Sequence, residues 1–125
     1  MLTGCLIAES LRVGSELSLP SGVQITRISR QDVSGSTTAA QPDLWTLIYF
    51  AAPAERAGEL AEMLAAALSG DHGGWYADFS DGRTHTVVFP GRVFTYRVGD
   101  AEGRAEAVDY GRRAGIPESQ LDWGD

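Results

Sequence analysis

Between residues 74 and 97 the chain carries two turn signals, Asp81-Gly82 and Pro90-Gly91, each flanked by runs rich in β-branched and aromatic residues. Asp-Gly tolerates the positive φ angles of a tight hairpin, so 74–80 and 83–89 are expected to lie antiparallel across a two-residue turn. Counting outward from that turn pairs Ser80 with Arg83, Phe79 with Thr84, Asp78 with His85 and Tyr76 with Val87. Pro90-Gly91 makes the next reversal and 93–97 the third strand, which sets His85 opposite Tyr96 and Val87 opposite Phe94. A meander of this kind commits the chain to an antiparallel sheet.

The remaining elements must join it. Residues 3–8 read as a short apolar strand, and 23–30 as a half-exposed strand whose Arg27 and Arg30 point outward or clamp a ligand. Residues 31–43 are a polar loop with little to bury, expected to be mobile. Leu44-Trp-Thr-Leu-Ile-Tyr-Phe50 is apolar on both faces and is expected at the centre of the sheet. Pro53 suits the first turn of a helix whose buried stripe is Ala57, Leu60, Ala61, Leu64, Ala67 and Leu68, closed by a left-handed Gly70. Asp100 caps a second helix over 101–114, which Gly115 ends. Leu121 and Trp123 give the tail 116–125 a reason to pack back. The fold class is α+β: one domain spanning 1–125, an antiparallel sheet of five to six strands, and two helices mainly on one face.

Charge narrows the partners. The chain carries 17 acidic residues against 10 basic ones, all arginine, for a net charge of −7, and it contains neither lysine nor asparagine. Residues 100–125 alone sum to −4. Binding a phosphate polyanion depends on basic side chains, so nucleic acid is a disfavoured partner. Without lysine there is no P-loop and no Schiff base. One cysteine forms no internal disulfide, and no apolar run approaches the roughly 18 residues of a membrane span. Leu2-Thr3-Gly4-Cys5 spells a lipobox, but the charged and apolar stretch that a lipoprotein signal needs does not precede it. A cytoplasmic protein is expected. Asp71-His72-Gly73-Gly74 is the closest approach to a metal motif and lacks the ligand spacing of one, so no metal and no cofactor is expected.

Gly74-Trp-Tyr76 with Asp78, Val87-Val-Phe89 with Gly91, Val93-Phe94 with Tyr96, Gly103-Arg-Ala-Glu-Ala107 and the ending Gly115-Ile-Pro117 with Gln120-Leu-Asp-Trp123 form a pattern. It resembles that of small uncharacterised proteins of streptomycetes and related actinobacteria, over residues 44–123. The resemblance implies an actinobacterial, cytoplasmic setting and carries no activity, ligand or catalytic residue with it.

Candidate chemistry centres on the hairpin. Asp78 and His85 face each other, with Tyr96 beside them, and a carboxylate that fixes an imidazole supplies the parts of an acid-base pair. The same pair also suits a cross-strand contact worth at most about 1 kcal/mol. A nucleophile requires Cys5 or Ser10 to lie in the neighbouring strand. Aromatics fall on both faces of the meander, so either the N-terminal strands cover the second face or an aromatic patch is exposed for binding. The binding candidates are Tyr76, Phe94, Tyr96, Arg83 and Trp123. The leading expectation is a non-catalytic binding or protein-interaction module, taking a protein partner or a small planar ligand through the aromatic face or the acidic C-terminal helix and tail. A small hydrolase or isomerase built on His85 and Asp78, and a homodimer, are the alternatives.

Overall fold

The meander forms, and the computed structural model, which describes residues 1–39, 41–70 and 74–124, joins it to three further strands. Among the described residues the order is β1 (Leu2–Ile7), β2 (Gln24–Asp32), β3 (Leu44–Ala52), α1 (Ala57–Ala67), β4 (Ala77–Ser80), β5 (Thr84–Phe89), β6 (Arg92–Arg97) and α2 (Ala101–Arg113). The strands make one antiparallel sheet in the order β2-β3-β1-β4-β5-β6, and the class is α+β. β1 pairs with both β3 and β4, stitching the N-terminal hairpin to the meander. That insertion leaves β3, expected at the centre, second from the edge. The strand buried almost throughout is β5, where only Thr84 is half-buried.

The two helices divide between the faces, where one shared face was expected. Val88, Phe79, Leu2, Leu6 and Phe50 pack with Leu60, Ala61 and Leu64 of α1. Val87, Phe89 and Tyr96 pack with Ala107 of α2 and with Ile116, Leu121 and Trp123 of the tail. Adjacent residues of a strand point to opposite faces, so apolar Val87, Val88 and Phe89 in a row demand cover on both sides. Fully burying a side chain of this size contributes roughly 1.5–3 kcal/mol, more than leaving either face wet would return. The second face is therefore covered by α2 and the tail, while the N-terminal strands extend the sheet edgewise.

Local chemistry explains the other departures. The hairpin register pairs Asp78 with Val87 and Ser80 with His85, two positions away from the simple count. The Asp81 carboxylate accepts the amides of Arg83 and Thr84, both at 2.8 Å, which moves the tight turn onto Gly82-Arg83 with Gly82 at φ 90°. Asp78 and His85 thereby become diagonal neighbours on one face. The β5–β6 register is the expected one, His85 opposite Tyr96 and Val87 opposite Phe94. α1 does not end on a left-handed Gly70; Leu68 turns extended, bridges Leu11, and the Ser69 amide donates to the Ser10 carbonyl at 2.8 Å. α2 ends as anticipated: Gly115 is left-handed at φ 94°, and the amides of Gly115 and Ile116 reach back to Arg112 and Gly111. That reversal returns Ile116, Leu121 and Trp123 to the core.

Candidate functional site

On the face that carries α2, the helix covers β5 and β6 but stops short of β1 and β3. Residues 33–39 and 41–43 and the tail residues 116–124 close the rest, and between them and the sheet lies a cavity of about 240 Å³. Its floor is Cys5 of β1, Leu47 of β3 and Asp78 of β4; its walls are Trp45, Trp75 and Tyr76; its rim is Ser36, Gln120 and Asp122. Cys5 and Asp78 are directly opposite across β1 and β4. Trp75 and Tyr76 both line the cavity, although strict alternation would set them on opposite faces. β4 begins only at Ala77, and Gly74 at φ 90° packs against Ile116, so the two aromatics precede the pleat.

A latch of buried amides holds the closure in place. The Gln120 side chain donates to the Ser36 carbonyl at 2.6 Å and to Gln41 Oε1 at 2.8 Å, and the Gln41 side chain donates to the Gly74 carbonyl at 3.3 Å. The Tyr76 hydroxyl donates to the Gln120 carbonyl at 2.5 Å, and Trp123 Nε1 donates to the Tyr96 hydroxyl at 2.8 Å. The tail, Ser36 and Gln41 are thus tied to each other and to the sheet through groups that are costly to leave unpaired.

The expected acid-base pair meets. His85 Nε2 and Asp78 Oδ2 are 2.8 Å apart, and the imidazole stacks on the Tyr96 ring with centroids 5.6 Å apart and planes 14° apart. His85 is 4% exposed, while the Asp78 side chain is 29% exposed. The histidine lies under cover and the carboxylate is the accessible member of the pair. Cys5 does lie in the strand next to Asp78, but burial, and then the Asp78 charge, push its thiol up to about 11, against the pull of Arg27. That shift favours the protonated, less reactive form of the thiol. Ser10 is fully buried and donates to the Ile7 carbonyl at 2.5 Å. Burial, then Asp78 and Asp122, push the Tyr76 phenol well above its ordinary range.

Of the other residues singled out from the sequence, Tyr76 is a cavity wall and Trp123 packs edge-on against it, at 5.0 Å between centroids. Tyr96 is buried behind His85. Phe94 packs on Phe89 and Tyr110, away from the cavity, and Arg83 sits exposed in the hairpin turn. Sequence reasoning missed Trp45, Leu47, Gln120 and Asp122. Only the position of β1 between β3 and β4 brings them together, and no local spacing encodes it. Among the described residues, no group of three or more His, Cys, Asp or Glu side chains is placed to hold a metal. Asp71, His72 and Gly73 of the loop motif lie outside the described residues.

Comparison with known protein families, with curated proteins and with solved structures returns no match to this chain.

Proposed function

We propose that this chain is a non-catalytic binding protein, and that the cavity between β1, β3, β4, residues 33–39 and 41–43 and the tail receives a projecting group of its ligand or partner. The observation that carries the reading is the lining: three aromatic walls over a carboxylate-bearing floor, closed by a hydrogen-bonded latch. Ligand sites are typically concave, largely apolar and furnished with a few placed polar groups. At about 240 Å³ the volume falls below the usual range for drug-sized molecules, so what enters is compact. The acid-base alternative has its contact but not its access, because His85 is covered and Cys5 is held protonated.

The setting that goes with this reading is the cytoplasm of an actinobacterium, and its support is the resemblance to small actinobacterial proteins. No helix among the described residues is long and apolar enough to cross a membrane. The reading is tested by screening small fragments of all charge types against isotope-labelled protein. Hits should perturb the amides of Cys5, Leu47 and Tyr76 as a group. A screen in which fragments bind elsewhere and never at these residues overturns it.

A second reading, self-association, is favoured by a separate observation: β2 is an edge strand, exposed along nearly its whole length, and it carries exposed Ile25 and Ile28 beside exposed Leu44 of β3.

A further inference from the structure

Building on the binding reading, we propose that the group received in the cavity is a compact organic cation, an ammonium or guanidinium. Three features converge on that chemistry. The walls present indole and phenol rings, with Trp45 and Trp75 tilted 59° at 5.3 Å between centroids, so that two π systems border one small volume. Aromatic faces attract cations through their quadrupoles, indole most strongly. Among the described residues, the charged side chains of the lining are Asp78 and Asp122, and no arginine lines it. The negative field of Asp78 reaches the floor and the wall alike, since it disfavours ionisation of both Cys5 and Tyr76. An anion entering here would meet two carboxylates, with the guanidiniums felt at Cys5 and Tyr76, those of Arg27 and Arg104, outside the lining, whereas a cation enters beside carboxylates.

Size agrees with this assignment. A trimethylammonium head or the end of an arginine side chain fits within about 240 Å³. The tail is complementary as well: residues 114–125 carry three carboxylates and no basic residue, which favours the approach of cations on this side. The cation has two sources, a free amine or a basic side chain of a partner protein, and they share the recognition chemistry.

The test compares three probes on isotope-labelled protein: choline, its uncharged isostere 3,3-dimethyl-1-butanol, and a capped Gly-Arg-Gly peptide. The expected result is a saturable shift of the Cys5, Leu47 and Tyr76 amides with choline or the peptide, at an affinity at least about tenfold above that of the alcohol. Stronger binding of choline identifies a free amine as the source, and stronger binding of the peptide a partner side chain. Asp122→Asn, on an exposed position that leaves the fold alone, should weaken the cation and leave the alcohol unchanged; Asp78→Asn should do so more strongly. Equal binding of choline and the alcohol at these residues overturns the cation assignment while the binding reading stands. Fragments binding there with no preference for cations would do the same, and no binding by any probe or fragment overturns both.

Discussion

Cys5 shows how a single side chain reports on its surroundings. A thiol on the floor of an apolar cavity, beside a carboxylate, ionises only near pH 11, where the ordinary value is 9.0. At pH 8 the thiolate fraction is then about a hundredfold smaller than for a free cysteine, and alkylation slows in proportion because the thiolate is the reacting form. Iodoacetamide should label the native protein about a hundred times more slowly than the unfolded chain. Asp78→Asn removes the second cause of the shift and should speed native labelling; no change on that substitution would show that the carboxylate field does not reach the thiol. The folded pKa is raised, so the contribution of Cys5 to stability is complete below pH 9 and is lost as pH rises through 11. Cys5→Ala should flatten the alkaline limb of a stability-against-pH curve, measured by denaturant midpoint, and leave the neutral region almost untouched.

At the scale of elements, α2 depends on a close approach that its sequence hardly advertises. Gly103 sits in the first turn, where an added Cβ would lie 2.5 Å from Tyr96 Cβ and 2.9 Å from the Asp100 carboxylate that caps the helix through the Gly103 amide. Replacing glycine by alanine inside a helix normally stabilises by about 1 kcal/mol. Here the neighbour is the root of a buried side chain and not a flexible end, so overpacking of about 1–3 kcal/mol outweighs the propensity gain. Gly103→Ala should lower the denaturant midpoint and disturb the near-ultraviolet signal of the Tyr96–Trp123 contact; a stabilised variant would refute this account of α2 docking. Both helices, the Pro90-Gly91 turn and the strands of the N-terminal half were legible beforehand, because apolar periodicity, Asp100, Gly115 and that turn act within a few residues of where they stand. What could not be read was set at long range. The hairpin register turned on two amide bonds to Asp81, the division of the helices turned on which face each apolar residue of β5 needed covered, and the cavity turned on β1 entering between β3 and β4. Cys5 and Asp78 lie 73 positions apart in the chain, and only the strand order makes them neighbours.

For the whole molecule, the sheet is asymmetric in how its two faces and edges are finished. α1 covers the face of β1, β4 and β5, but toward β2 that face runs out of helix, and Leu19, Ile25, Ile28 and Leu44 remain 46%, 50%, 59% and 53% exposed. β2 is a nine-residue edge strand, and an edge of that length is normally guarded by bulges and charges. It has both, an irregularity between Ile25 and Arg27 and the guanidiniums of Arg27 and Arg30. These guards select among registers more than they forbid pairing. Two copies of β2 meeting antiparallel about a two-fold axis at Arg27 or Arg30 would oppose like charges, whereas an axis at Ile28 sets isoleucine against isoleucine and Arg27 against Ser29. Such a dimer continues the sheet into its copy and covers Ile25 and Ile28 on the same face. Sedimentation equilibrium from the micromolar to the millimolar range should show a reversible rise toward twice 13.4 kDa. Ile28→Asp should return the protein to a monomer with an unchanged far-ultraviolet spectrum, and the probes of the cavity, which lies on the opposite face, should bind that variant as they bind the wild type. A strict monomer at every concentration would leave the exposed edge without this role, and loss of cavity binding in Ile28→Asp would show that the two faces are not independent.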